Sequence, residues 1–396
     1  MAISSSRLTV VCLAIAGWGF GFGVGTQVVS LWAKQRGASD SLIGWLHAVY
    51  YLGVAVAAVA VPLLSRRWGL RTVLAGMALS AVTLALFPWS RGEIDWFVLR
   101  ALSGAGCALS VIPLETLLSQ SSPPEKRTQV FGWYGFAITL GGAIGMGLGP
   151  VIHPEVLSDD PTAMLIAAIG PALGFVLIAV SLDLSTRLIE DEANVALPIR
   201  TNVLPFGTAW GQGFLEGGLI AFLTLYLTKH VELSQDLAGV VLGTTVVGIV
   251  AFQVPASMLG DRYGPLRVLL VCYVVAIAGL LASPWILDVW ALTAVLLVFG
   301  AFTGAMYPLG LSLLGRNTPP SGQPKAYAMY LGLECVGSVV GAAVTGHARD
   351  RWGEEALFHA GTIALVLVLL IWFATRVTTS GQDPAIADDG ESAGAV

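Results

Sequence analysis

An all-α integral membrane protein of twelve membrane-crossing helices, built as two similar six-helix bundles, is the fold class this sequence predicts. Three observations carry that prediction. The 396-residue chain is 56% hydrophobic and only 11% charged, its apolar runs have the length of membrane helices, and one charged turn is written twice, half a chain apart. A soluble domain carries about 25% charged residues to face water. A deficit of this size means that lipid is the solvent for most of the chain.

A membrane helix needs about 20 mostly apolar residues. Runs of that kind lie at 8–32, 41–64, 70–90, 95–120, 127–152, 162–185, 202–228, 236–259, 266–286, 288–316, 324–348 and 356–377. The first is too long for the apolar region of a signal peptide, about 7–15 residues, and is expected to stay as a helix. Short connections such as RGASD, RGEID and GDRYGP carry the turn residues. Residues 1–185 form the expected first bundle, 186–201 a polar cytoplasmic linker, 202–377 the second bundle, and 378–396 an acidic, disordered tail.

An even number of spans puts both termini on one side. With the termini in the cytoplasm, Arg7, Arg66, Arg67, Arg71, Lys126, Arg127, Arg187, Arg200, Arg262, Arg267, Arg316, Lys325 and Arg376 lie inside. Only Lys34, Arg36, Arg91, Lys229, Arg349 and Arg351 lie outside, and Arg100 falls within a helix. The positive-inside rule selects that orientation, in a bacterial-type inner membrane. The net charge of −5 gives no support for nucleic-acid binding. Cys12, Cys107, Cys272 and Cys335 sit in apolar runs, with no metal-ligand or disulfide spacing.

The repeated turn is VPLLSRRWGLRTVL (Val61–Leu74) against SMLGDRYGPLRVLL (Ser257–Leu270). Arg67 and Arg262 are 195 positions apart, as are Gly69 and Gly264, Lys34 and Lys229, Gly44 and Gly239, and Pro113 and Pro308. PLETLLSQSSPP and PLGLSLLGRNTPP also match, with a one-residue slip by the last prolines. The chain is therefore a duplicated six-helix unit. Two copies in the same orientation are related by an axis along the membrane normal, with the solute path between them.

These residues resemble the major facilitator superfamily over about 1–378. GDRYGPLR is similar to that family's loop signature, roughly G-x-x-x-D-R-x-G-R-R. Asp261, Arg262 and Gly264 match its core, Pro265 and Leu266 depart from its basic end, and Arg267 follows one place later. In the first half Arg66 stands where the Asp is expected. The resemblance implies that Asp261 braces the outward-open state. LRALSGAG resembles the R-x-x-x-G signature of helix 4 through Arg100 and Gly104, which implies a part in proton coupling for Arg100. GAIGMGLGP resembles the exporter signature G-x-x-x-G-P through Gly145, Gly149 and Pro150, but His153 and Pro154 follow in place of Gly-Gly. Independently of family, Gly141, Gly145 and Gly149 share one helix face, as do Gly337 and Gly341. Small faces of this kind let helices pack closely in lipid.

An ionisable group in mid-membrane costs at least about 2.5–3.5 kcal/mol on insertion scales and is a functional candidate by default. Glu216, in WGQGFLEGGLIAF, lies about fourteen residues into helix 7, roughly 20 Å from the cytoplasmic end at 1.5 Å per residue. The resemblance places helices 1, 4, 7 and 10 around the cavity, so Glu216 is the first candidate for proton or substrate binding. Glu334 on helix 11, Glu115 near the cytoplasmic end of helix 4, Arg100 and the lone His47 are the other ionisable candidates. Each also has a structural reading, as a buried hydrogen bond or an interface contact. Trp18, Gln27, Gln212 and Tyr307 are uncharged cavity candidates.

The sequence thus predicts a monomeric secondary transporter of a small organic solute, driven by protons and using no bound cofactor or metal. Efflux is the leading direction, with uptake by symport or uniport as the alternative. A transport-inactive membrane sensor is the reading from another class. Nothing in the chain forms a nucleophile elbow or a phosphate loop; GFGVG lies inside a membrane helix without a preceding strand.

Overall fold

A computed structural model describes residues 4–148, 161–183, 197–286 and 288–380. All the regular structure among them is helical. The first half comprises α1 (Ser5–Gln35), α2 (Asp40–Trp68), α3 (Arg71–Leu86), α4 (Glu93–Ser121), α5 (Arg127–Leu148) and α6 (Thr162–Ser181). The second comprises α7 (in three segments, Val203–Leu215, Glu216–Ile220 and Ala221–Lys229), α8 (Gln235–Ala251 and Gln253–Tyr263), α9 (Pro265–Ala282), α10 (Val289–Asn317), α11 (Gln323–Trp352) and α12 (Ala356–Ser380). Gly149, Pro150, His153, most of the 186–201 linker and the tail from 381 lie outside the described residues.

Eleven of these helices are long and apolar enough to cross a membrane. The remaining crossing is α7, which was expected as one continuous helix over 202–228. It is broken by a π-helical turn, Glu216–Ile220. Helix α12 also runs to Ser380, past the expected boundary at 377. The chain is a multi-pass membrane protein. Its outer surface agrees: Leu52, Val56, Val59 and Leu63 form an exposed apolar stripe on α2 at helical spacing, the arrangement lipid requires.

The duplication is visible in the local geometry. Ser39 caps α2 by accepting from Leu42 N–H at 3.2 Å, and Ser234 caps α8 by accepting from Leu237 N–H at 3.3 Å. Both caps satisfy an N–H that the helix leaves orphaned. Helices α3 and α9 end in matching 3₁₀ turns, Phe87–Trp89 and Ser283–Trp285. The charged turns reverse at Gly69 and Gly264, with φ of 56° and 93°, a region open mainly to glycine.

Packing repeats as well. Within the first half α1 lies on α5 and α6, α2 on α4, and α3 on α4 and α6; α7–α12 repeat these pairings in order. Glycines set the closest ones. A Cβ on Gly141 or Gly145 of α5 would strike the Ala16 or Phe20 carbonyl of α1. A Cβ on Gly337 or Gly341 of α11 would strike the Trp210 or Phe214 carbonyl of α7. The small faces read from sequence are thus helix-contact faces, where backbones approach too closely for a side chain.

Candidate functional site

The halves meet along α2 with α11 and along α5 with α8 and α10. Many of the contacts joining them lie at the end of the molecule where α1 begins. There Asp261, at the end of α8, accepts the backbone N–H groups of Thr128 (3.0 Å) and Gln129 (2.8 Å) in the first turn of α5. A carboxylate at a helix N-terminus satisfies orphan donors and faces the positive end of the helix dipole. Arg316 of α10 closes the arrangement. It pairs with Asp261 at 3.0 Å and donates to the Pro124 carbonyl at 3.0 Å. Arg127 donates to the Gly315 carbonyl at 2.9 Å, Gln120 donates to the Pro320 carbonyl at 3.0 Å, and the Thr128 and Ser312 hydroxyls lie 2.7 Å apart. Of the expected loop residues, Asp261 makes the clamp and Gly264 the reversal. Arg262 and Arg267 are exposed; Arg262 lies over the ring of Tyr263.

Further in, Tyr307 of α10 donates to Glu115 of α4 at 2.5 Å. Glu115 is buried, so its carboxylate ties the two halves together rather than lying at an interface with water. The second oxygen of Glu115 and the buried hydroxyl of Tyr134 have no hydrogen-bond partner among the described residues. Gln253 of α8 donates to the Thr139 hydroxyl of α5 at 3.0 Å, again between halves.

Glu216 lies at mid-depth, where the π turn begins. The Ala221 N–H bonds back five residues to the Glu216 carbonyl. Gly217 and Gly218 follow, weakening the helix, and α11 crowds this stretch through the Ser338 carbonyl against Gly217. π turns inside α-helices recur at functional sites. The Glu216 side chain is exposed in the gap between halves, and the Tyr51 hydroxyl of α2 reaches across to it at 3.4 Å. Glu334 of α11 is half-buried, within electrostatic reach of both Glu216 and Glu115. The three intramembrane glutamates, far apart in sequence, are thus gathered where the halves face each other. Tyr51, which sequence reading missed, supplies the contact from the opposite half. Its only signal was a phenol in mid-span, in HAVYYLG.

Other candidates lie elsewhere. Gln212 donates to the Thr303 carbonyl at 2.8 Å within the second half, and its side-chain oxygen has no partner among the described residues. Gln27 is half-buried on α1. His47 lies 3.0 Å from the Ser30 hydroxyl, a bond between α2 and α1. Trp18, expected at the cavity, instead stacks on Phe22 inside the first half and donates to Ser80 at 3.3 Å. Arg100 shares that interior, with Nε–H on the Leu46 carbonyl at 3.3 Å and its guanidinium 4.7 Å from the centre of the Tyr50 ring. No group of three His, Cys, Asp or Glu side chains among the described residues is placed to hold a metal.

The sequence model of the Major Facilitator Superfamily matches residues 9–210 and again 205–393, once per half. The chain belongs to the major facilitator superfamily. It is therefore a transporter of this superfamily rather than an enzyme, with the two-bundle architecture of that fold. Among curated relatives, the uncharacterized MFS-type transporter YfkF of Bacillus subtilis is 26% identical over 93% of this chain and 95% of its own. YcaD of Salmonella enteritidis, likewise uncharacterized, is 25% identical over 95% of each chain. Among solved structures, the MFS transporter FucP in its outward conformation superposes with a TM-score of 0.77 at 15% identity, covering 93% of this chain and 98% of that one. The proton:xylose symporter XylE superposes with a TM-score of 0.76 at 14% identity, covering 94% and 96%. The human organic anion transporter MFSD10 does so with a TM-score of 0.76 at 15% identity, covering 93% and 100%.

Proposed function

We propose that this transporter moves a small organic solute together with protons, by rocking its two halves about the gap that holds Glu216. The observation that carries the reading is Glu216 itself. It is an ionisable side chain at mid-depth, on a helix broken at that residue, touched by Tyr51 from the opposite half. A carboxylate there changes its surroundings whenever the halves move, which is what linking protonation to conformation requires. Glu334 and Glu115 share its electrostatic environment, and Glu115 is bonded to the moving half through Tyr307. Solute and proton can therefore act on one connected set of groups.

Both termini and the Asp261 clamp are assigned to the cytoplasm, on the distribution of Arg and Lys. The clamped state is then outward-facing, in keeping with the likeness to FucP in its outward conformation. Residues 1–185 and 202–377 act as the two moving bodies of a monomer, joined by 186–201. Uptake by symport is favoured over the efflux suggested by the α5 glycines. FucP and XylE are both described as proton symporters, and the trailing Gly-Gly of the exporter signature is replaced by His153 and Pro154.

The test uses purified protein in liposomes with a pH-sensitive dye inside, screened against a solute panel. A solute-dependent proton signal in wild type, reduced at least about tenfold (1.4 kcal/mol) in Glu216→Gln, is the expected result. Protons that follow the solute inward establish symport; protons leaving against it establish exchange. Solute flux with no proton signal in either protein contradicts the coupling.

A further inference from the structure

We propose that the solute is a small organic amine, bound as its ammonium between Glu334 and Glu115. This rests on the reading of the gap between the halves as the solute path. The first observation is a charge imbalance. Three intramembrane carboxylates are gathered where the halves face each other, and among the described residues none of them pairs with an Arg, Lys or His. Arg100 does not supply the balance, because it sits inside the first half on the Leu46 carbonyl and the Tyr50 ring. The charged groups that act on Glu334 are Glu216 and Glu115, both of its own sign. Like charges crowded where water solvates them poorly must take up protons or a cation. Three carboxylates leave room for a proton on Glu216 and for one ammonium.

The second, independent observation is a pair of acceptors with nothing to accept. Oε2 of Glu115 and Oε1 of Gln253 have no hydrogen-bond partner among the described residues, and each residue is 1% exposed. They come from opposite halves and are grouped about one glycine. A Cβ on Gly135 of α5 would strike Gln253 Oε1 and lie 3.6 Å from the Tyr307 ring, and Tyr307 bonds Glu115. The hydroxyl of Tyr134, beside Gly135, is also unpartnered among the described residues and can accept as well as donate. Tyr134 and Tyr307 both lie within electrostatic reach of Glu115 and Glu334. The depths agree. At about 1.5 Å per residue from the clamped end of each helix, Glu115 and Tyr134 lie at about 9 and 10 Å, Gln253 and Tyr307 at about 15 Å, and Glu334 at about 17 Å. The free acceptors therefore fall in the depth range between the two carboxylates. Glu216 is exposed in the gap and Glu334 half-buried, so an entering solute reaches Glu334 past Glu216. A buried acceptor left unmet is costly. A primary ammonium brings three N–H donors and no acceptor. A carboxylate solute would add a further negative charge, and a neutral hydroxylated one would leave the imbalance in place.

The experiment is thermal unfolding of the purified full chain in detergent, at fixed pH and ionic strength. The probes are butylamine, cyclohexylmethylamine and phenethylamine, each beside the alcohol and the carboxylate of the same skeleton. The expected result is a saturable rise in Tm with at least one amine, at a concentration at least tenfold below that needed of its alcohol, and no rise with the carboxylates. The response is lost in Glu334→Gln and needs several-fold more amine in Gln253→Leu. Should Glu334→Gln fail to fold, Glu334→Asp, which keeps the charge but draws it back toward α11, must likewise need several-fold more amine. No pH gradient is present, so proton coupling can fail in the liposome assay while this response stands, and the two failures are distinct. No response to any amine, equal responses to amine and alcohol, a response to the carboxylates, or an amine response unchanged by the Glu334 substitutions each overturns the proposal.

Discussion

The two charged turns descend from one sequence and now do different work. After α8, Asp261 accepts two N–H groups from the start of α5 and pairs with Arg316. After α2, the equivalent position is Arg66, which has no acceptor to offer a helix N-terminus. The partner helix has changed too. Helices α5 and α11 begin at Arg127 and Gln323, so Thr128, whose N–H bonds Asp261, corresponds to Pro324, which has no N–H. Acceptor and donor are both absent on one side and both present on the other. Some symmetry survives beside them: Gln120 reaches the Pro320 carbonyl, and Arg316 reaches the equivalent Pro124 carbonyl, both at 3.0 Å. The lesson is that a duplicated fold can keep its packing and its turn glycines while the carboxylate clamp between its halves is built in one copy.

That comparison can be broken or sharpened by substitution. The largest effect is expected from Asp261→Asn. It removes the charge from two helix-terminal hydrogen bonds and an ion pair, interactions worth about 1.5–3 kcal/mol each when charged. Modification of a cysteine placed at Ser312, buried behind the clamp, should accelerate by about tenfold or more; an unchanged rate would mean the clamp does not hold this end shut. Next comes the transplant Arg66→Asp with Pro324→Thr, which restores both acceptor and donor on the silent side. It should stabilise the closed end by roughly 1–2 kcal/mol and slow solute turnover several-fold in the liposome assay, whereas Arg66→Asp alone should do less. The smallest effect belongs to the contact that both halves repeat. Gln120→Ala removes the neutral hydrogen bond to the Pro320 carbonyl, a kind of bond worth about 1 kcal/mol, and should raise the Ser312→Cys modification rate less than Arg316→Gln, which also loses Asp261.

Much of this was legible in the sequence because lipid enforces a simple rule. Every crossing must be apolar and about 20 residues long, so the helices fall where the apolar runs do, and the 195-residue offset exposes the two halves. Glu216 stood out for the same reason, as a charge where charges are costly. The π turn beneath it did not, because composition fixes that a helix forms and not its hydrogen-bond register; only Gly217 and Gly218 hinted at a weak point. Glu115 with Tyr307, and Glu216 with Tyr51, join residues 192 and 165 positions apart. Such pairs depend on how the bundles sit against each other, which periodicity within one helix does not encode. The partners of Trp18 were not legible either: its ring stacks on Phe22 and bonds Ser80 inside its own bundle. Asp261 was readable from its loop signature, although its partners on α5 and α10 were not.

The most direct test of the one-sided latch is the distance between spin labels at Lys126→Cys and Lys325→Cys, exposed positions at the starts of α5 and α11, in a background lacking the native cysteines. The account predicts one dominant short distance in the parent, a longer and broader distribution in Asp261→Asn, and no change in Arg66→Gln. Identical distributions in the parent and Asp261→Asn, or equal displacement by Arg66→Gln, would contradict it.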